Sequence, residues 1–220
     1  MKKIAVVLSG CGHKDGTEIT EAVSALIGLA EFGAQVRIFA PNLDFRVATA
    51  VGHGLGKTNE FRNALVESAR IARGDIQDIK ELRPEDFDGV VFPGGFGAAV
   101  NLCSWAQTGA TCEVHPEAER VIRGFFSQGK PIGALCIAPA LVARVLGDKG
   151  ITVTIGKNDN VTTAEIAKTG ANHEDCAVDD FISDRDHKIV TSPAYMFGDA
   201  NPYQVFTGVR KAMKELVEMA

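Results

Sequence analysis

A cysteine set between two small residues is the first place in this chain where chemistry could happen. In Lys130-Pro-Ile-Gly-Ala-Leu-Cys136-Ile-Ala-Pro-Ala140, a short apolar run ends at Cys136 and a helical pattern starts directly after it. Ala134 and Ala138 flank the cysteine two residues before and two after. That spacing suits a nucleophile on a tight strand-to-helix turn, where large neighbours would collide. The N–H groups that open the helix can stabilise a thiolate or an oxyanion. The thiolate is the attacking species, and a helix N-terminus is expected to lower the pKa of this cysteine. A buried structural cysteine would occupy the same surroundings, since free Cys is among the most buried residue types.

Three further stretches carry groups that could serve Cys136. Ser9-Gly-Cys-Gly-His-Lys-Asp15 leads toward Glu18 and Glu21, Pro93-Gly-Gly-Phe-Gly-Ala-Ala99 is rich in glycine, and Thr191-Ser-Pro-Ala-Tyr-Met196 lies late in the chain. Gly94 and Gly95 let backbone amides approach a ligand closely, which suits an oxyanion site, although a plain strand-ending turn has the same composition. Glu18 and Glu21 are the acid/base candidates, at the start of a helix where the macrodipole favours carboxylates. Asp15-x-x-Glu18 also reads as a cap. The apolar stripe of that helix is taken as Ile19, Ala22, Val23, Leu26 and Ala30. At about 100° per residue, Glu21 then falls opposite the stripe, on the solvent side. None of the five histidines adjoins Cys136 and no pair has a zinc-helix spacing.

Two resemblances fail on inspection. Gly52-His-Gly-Leu-Gly-Lys-Thr58 resembles a phosphate loop, but the first glycine of that spacing would be Val51. Gly95-Phe-Gly97 lacks the third glycine of a dinucleotide fingerprint, where Val100 stands, so neither NAD nor FAD is inferred.

The elements that would position these groups alternate along the chain. Buried strands are expected at 3–8, 35–39, 88–92, 131–135, 151–155, 177–182 and 188–191. Helices are expected at 17–32, 58–73, 116–128, 137–146, 162–169 and 204–219. Strands alternating with helices imply an α/β fold, a mainly parallel sheet covered on both faces, with sites at the carboxyl ends of its strands. Segments 41–58 and 96–115 exceed a minimal connection, and long ordered loops are often functional. The 220 residues suit a single domain. A net charge of −5, with no basic run, speaks against a nucleic-acid or anionic-membrane partner. No apolar run approaches the length of a membrane span. Five cysteines without CxxC spacing fit a reducing compartment, and the expected localisation is cytoplasmic.

Taken together, Ser9-Gly-Cys-Gly, Asp15-Gly-Thr-Glu-Ile, Ser68-Ala-Arg-Ile-Ala-Arg-Gly74, Pro93-Gly-Gly-Phe-Gly-Ala-Ala99, Cys136-Ile-Ala-Pro and Thr191-Ser-Pro-Ala-Tyr-Met196 closely resemble the ThiJ/PfpI, class I glutamine-amidotransferase-like superfamily. The resemblance covers nearly the whole chain. It is closest to the superfamily's isoprenoid-linked (lycopene) branch, described as a cofactor-independent glyoxalase. It implies a flavodoxin-like doubly wound fold, no cofactor, a homodimer and a small aldehyde substrate. It also implies Cys136 as the elbow nucleophile, Glu21 as its carboxylate partner, and amides near Gly95 and Ile137 as oxyanion donors. Many members carry His directly after the cysteine; here Ile137 stands there. That removes the simplest Cys–His pair and points away from amidase chemistry. The expected activity is conversion of glyoxal to glycolate. A Cys136-based redox or carbonyl sensor, a hydrolase using a distant histidine such as His173, and a deglycase are the alternatives.

Overall fold

The computed structural model of the chain describes residues 1–47, 60–158 and 161–220. The first half runs β1 (Lys3–Val7), α1 (Ile19–Glu31), β2 (Gln35–Ala40), β3 (Asp44–Arg46), β4 (Phe61–Asn63), α2 (Ala64–Ile71), β5 (Gln77–Asp78), β6 (Gly89–Phe92), α3 (Phe96–Val100) and α4 (Trp105–Thr108). It continues with α5 (Pro116–Ser127), β7 (Ile132–Leu135), α6 (Ala138–Leu146), β8 (Thr152–Val153), α7 (Thr162–Lys168), β9 (Asn172–His173), β10 (Ile182–Asp184), β11 (Ile189–Ser192) and α8 (Pro202–Met219). Seven strands form the central sheet in the order β10-β11-β7-β6-β1-β2-β5. Every pairing in it is parallel except that of β10 with β11. This is the flavodoxin-like, doubly wound arrangement that the alternation predicts.

Strands covered on both faces read as continuous apolar runs. Accordingly β6, β7 and β11 are buried throughout. Successive side chains of β1 leave for opposite faces. Ala5 and Val7 join Phe92, Phe125 and Leu141 on one side, while Ile4, Val6 and Leu8 join Leu29, Val209 and Met213 on the other. The second side is covered by α1 and α8.

The helical wheel of α1 differs from expectation. Ile19, Val23 and Ile27 are 45%, 41% and 49% exposed, whereas Glu21, Ala25 and Gly28 are buried. The small face lies inward because α8 packs closely on it: a Cβ on Gly28 would stand 3.1 Å from Cβ of Met213. Helix packing against the sheet therefore selects the small face with its carboxylate, and leaves the β-branched stripe outside.

Other boundaries shift for local reasons. The helix expected over 58–73 begins at Ala64, because Phe61–Asn63 pairs with Asp44–Arg46 and the Asn63 side chain caps the N–H groups of Leu65 and Val66. In the strand expected over 177–182, only Ile182 is strand; β10 runs on to Asp184 at the sheet edge. Thr152–Val153 pairs with Asn172–His173 in a separate small sheet. Segment 96–115 is short helices and turns rather than open loop. The phosphate-loop look-alike at 52–58 lies outside the described residues.

Candidate active site

β7 delivers Cys136 to the carboxyl edge of the sheet, and α6 begins two residues later. Cys136 has φ +59°, a left-handed conformation that costs a non-glycine residue about 1–3 kcal/mol. Its N–H donates to the Ser192 carbonyl at 3.0 Å, which ties the elbow to the end of β11. Ala134 and Ala138 are fully buried on either side. The backbone N–H groups of Gly95 and Ile137 lie on the side of the Cys136 sulfur and favour its thiolate.

The three outlying stretches converge on this point. The N–H of Glu18 donates to the Gly94 carbonyl at 3.0 Å, and that of Phe96 to the His13 carbonyl at 2.7 Å. Asn101 Nδ2 donates to the carbonyls of Ser9 and Asp15, 2.8 Å each, and so fixes the first loop. Glu21 is fully buried beside the cysteine. Its Oε2 accepts from the Gly94 N–H at 2.9 Å, its Oε1 accepts from the Tyr195 N–H at 3.2 Å, and its carboxyl group is close enough to the Cys136 thiol for each to shift the other's titration.

The glycines are required by contact distance. A Cβ on Gly94 would lie 2.4 Å from Cβ of Cys136 and 2.8 Å from Oε2 of Glu21. Gly95 has φ +87°, and a Cβ there would lie 2.4 Å from the Gly16 carbonyl oxygen. Of the three expected oxyanion positions, the Gly94 N–H is engaged by Glu21 at 2.9 Å, while those of Gly95 and Ile137 favour the thiolate of Cys136.

The electrostatics of the pair follow from burial. Desolvation, then the nearby Glu18 charge, pushes the Glu21 carboxyl up to about 8, against the opposing hydrogen bonds from Tyr195, Cys136 and Gly94. The Cys136 thiol is also pushed well above its ordinary range, first by burial and then by the Glu21 carboxylate. The lowering expected from the helix N-terminus is outweighed: the Gly95 and Ile137 N–H groups favour the thiolate, but burial first, and then the Glu21 charge, disfavours it more strongly. Such a pair can hold one proton between sulfur and carboxyl. Moving that proton to Glu21 frees a thiolate without leaving two charges side by side.

Cys136, 8% exposed, opens on a half-open cavity of about 980 Å³. Glu18 lines this cavity while its Oε2 accepts the Glu21 N–H at 2.7 Å, so the residue is both the cap of α1 and a wall of the cavity. Burial raises the Glu18 carboxyl above its ordinary value. His13 lines the cavity too. The other described histidines are engaged elsewhere. His173 Nε2 accepts from the Ile155 N–H at 3.2 Å, His115 Nδ1 from the Glu117 N–H at 3.2 Å, and His187 Nδ1 lies 2.9 Å from Asp184. His53 is outside the described residues. Among the described residues, no group of three His, Cys, Asp or Glu could hold a metal ion. Sequence reasoning missed Trp105, Phe96 and Val161 as cavity walls. For Phe96 and Trp105 the signal was the length of segment 96–115 and the glycine-rich stretch at its start; nothing in the residue pattern marks Val161 as a wall.

Comparison with known proteins places this geometry in context. A family model described as "DJ-1/PfpI family" matches residues 3–197. The human protein named "Glutamine amidotransferase-like class 1 domain-containing protein 3, mitochondrial" is 42% identical over 225 residues, covering 99% of this chain and 83% of that protein. The crystal structure of an isoprenoid biosynthesis protein with amidotransferase-like domain from Ehrlichia chaffeensis superposes with TM-score 0.92 at 37% identity, covering 100% of this chain and 99% of the other. Glyoxalase III from Candida albicans shares the fold, with TM-score 0.61 at 14% identity over 99% of this chain and 97% of that one.

Proposed function

The chain belongs to the DJ-1/PfpI family, and from that membership and the site geometry we propose that it is a cofactor-independent glyoxalase. It is similar to the ElbB-like, isoprenoid-biosynthesis members of the family. Its substrate under this reading is glyoxal or a similar small dicarbonyl, and its product a hydroxy acid such as glycolate. One observation carries the reading: a buried thiol–carboxyl pair beside two N–H donors, with Ile137 where an imidazole would serve hydrolysis.

The Cys136 thiol gives its proton to the Glu21 carboxylate, and the sulfur attacks the aldehyde carbon to form a hemithioacetal. The N–H groups of Gly95 and Ile137 turn from the sulfur to the new oxyanion. Glu21 passes the thiol proton to that oxygen and, ionised again, takes the proton from the former aldehyde carbon and returns it to the neighbouring carbonyl carbon through an enediol. The resulting thioester is hydrolysed by one water, which releases the hydroxy acid and restores the thiol. The sum, dicarbonyl plus water to hydroxy acid, is redox-neutral. With the carboxyl at about 8, roughly one-tenth of Glu21 is ionised at neutral pH, so the competent form is a minority there.

Purified protein incubated with glyoxal should form glycolate, followed by proton NMR. Cys136→Ala should abolish it, and unchanged turnover in that variant would overturn the mechanism. We further propose a homodimer seated on the exposed Ile19, Val23 and Ile27 face of α1, because three large apolar side chains stand together in solvent there. Among the described residues, no helix is long and apolar enough to cross a membrane. Cytoplasmic residence is proposed from the unpaired cysteines alone; the human relative carries "mitochondrial" in its name.

A further inference from the structure

Glyoxal is too small for the cavity above Cys136. Its reacting atoms need only the sulfur, the Glu21 carboxyl and two N–H groups. The cavity of about 980 Å³ lies at the upper end of the roughly 300–1,000 Å³ range of clefts that enclose drug-sized ligands. Its walls beyond the elbow are chiefly apolar: Phe96, Trp105, Ile137, Val161 and Met196. Phe96 and Val161 are 46% and 71% exposed, so each still has surface to offer an occupant. The charged side chains that line it are Glu18 and Glu165, both acidic, and among the described residues no lysine or arginine does. Glu165 is paired with Lys168, so a carboxylate or phosphate on the substrate would face chiefly the Glu18 carboxyl, with no lysine or arginine of the lining to offset it.

Resting on the glyoxalase reading above, we infer that the preferred substrates are uncharged α-oxoaldehydes bearing an apolar group of about ring size, which Phe96 and Trp105 hold. The reaction keeps its balance: R–CO–CHO plus water gives R–CHOH–COOH, with the Cys136 thiol regenerated. The aldehyde end sits at the elbow, and the R group lies along the apolar wall. Half burial of a phenyl ring corresponds to roughly a 20-fold advantage in kcat/KM over a substrate without one.

The test measures kcat/KM of the full chain for glyoxal, phenylglyoxal and 4-carboxyphenylglyoxal, reading glycolate or the mandelate product by chromatography. The expected order is phenylglyoxal about 20-fold over glyoxal, with the carboxylated analogue falling below phenylglyoxal. Phe96→Ala alters a half-exposed ring and keeps the fold testable. It should lower kcat/KM for phenylglyoxal several-fold more than for glyoxal, as should Trp105→Ala if that variant folds. Equal or better use of glyoxal by an active enzyme overturns this inference and leaves the glyoxalase reading standing. Equal use of the carboxylated analogue and phenylglyoxal overturns the exclusion of anions. Cys136-independent or absent turnover of all three overturns the glyoxalase reading, and this inference with it.

Discussion

Glu21→Gln should make the fold less stable in acid and more stable in mild alkali. In the native chain the Glu21 carboxyl is held at about 8 against an ordinary 4.5. Between those values the folded state keeps a proton that the unfolded state has released. Stability from this group is therefore complete below about 4.5 and is lost as pH rises through about 8. A separation of about 3.5 at 1.36 kcal/mol each amounts to about 5 kcal/mol. Glutamine cannot ionise, so this dependence vanishes in the variant. Glutamine also presents an NH2 where both carboxyl oxygens accept backbone N–H groups, from Gly94 and Tyr195. Leaving one of those donors unsatisfied costs about 1–3 kcal/mol at every pH. The two stability curves should therefore cross between pH 5 and 8.5. Urea unfolding followed by the fluorescence of Trp105, the sole tryptophan, measures both across that range. Parallel curves for the two proteins would refute the assignment of a buried, proton-retaining carboxyl at position 21.

The pH–rate profile should rise through about 8, because the competent pair needs Glu21 ionised before the thiol proton moves; stopped-time assays of glycolate check it, and a rate that is flat or falls across pH 6–9 contradicts the role. Gly94→Ala should cost about 1–3 kcal/mol and most of the activity, since its Cβ would overlap that of Cys136 at 2.4 Å; thermal melting and turnover report the two effects. Gly28→Val should lower the melting temperature by pushing α1 off Met213 of α8, with less loss of activity per degree than Gly94→Ala. Val23→Lys with Ile27→Lys should leave the melting temperature within a few degrees and convert a dimer to monomer in sedimentation velocity, because both side chains are already exposed.

Much of the scaffold was legible in the chain. Ile4–Val7 of β1 and the whole of β6 and β7 are apolar, and burial on both faces of a parallel sheet demands that pattern. Gly33 and Pro116 mark a helix end and a helix start where local backbone chemistry requires them. Cys136 was legible as an elbow because the neighbours of a strained turn must be small, a requirement written at 134 and 138. The short and edge elements were less so. Phe61–Asn63 becomes strand only through its pairing with Asp44–Arg46, and β10 only through β11.

The site shows the same division more sharply. Residue types and spacing alone determined a thiol on a strand-to-helix turn, glycine-rich backbone nearby, and no adjacent imidazole, because these are local facts about a few consecutive residues. Which side of α1 faces the sheet was decided by tertiary packing. Ala25 and Gly28 admit α8 at close range, and that contact turns Glu21 inward against the apparent stripe of Ile19 and Val23. Tertiary structure likewise set the direction of the Cys136 shift. A helix N-terminus favours a thiolate locally, but burial beside a second acid, brought from more than a hundred residues away, disfavours it more. Charge states of buried groups depend on everything packed around them, and that is information no short stretch of sequence contains.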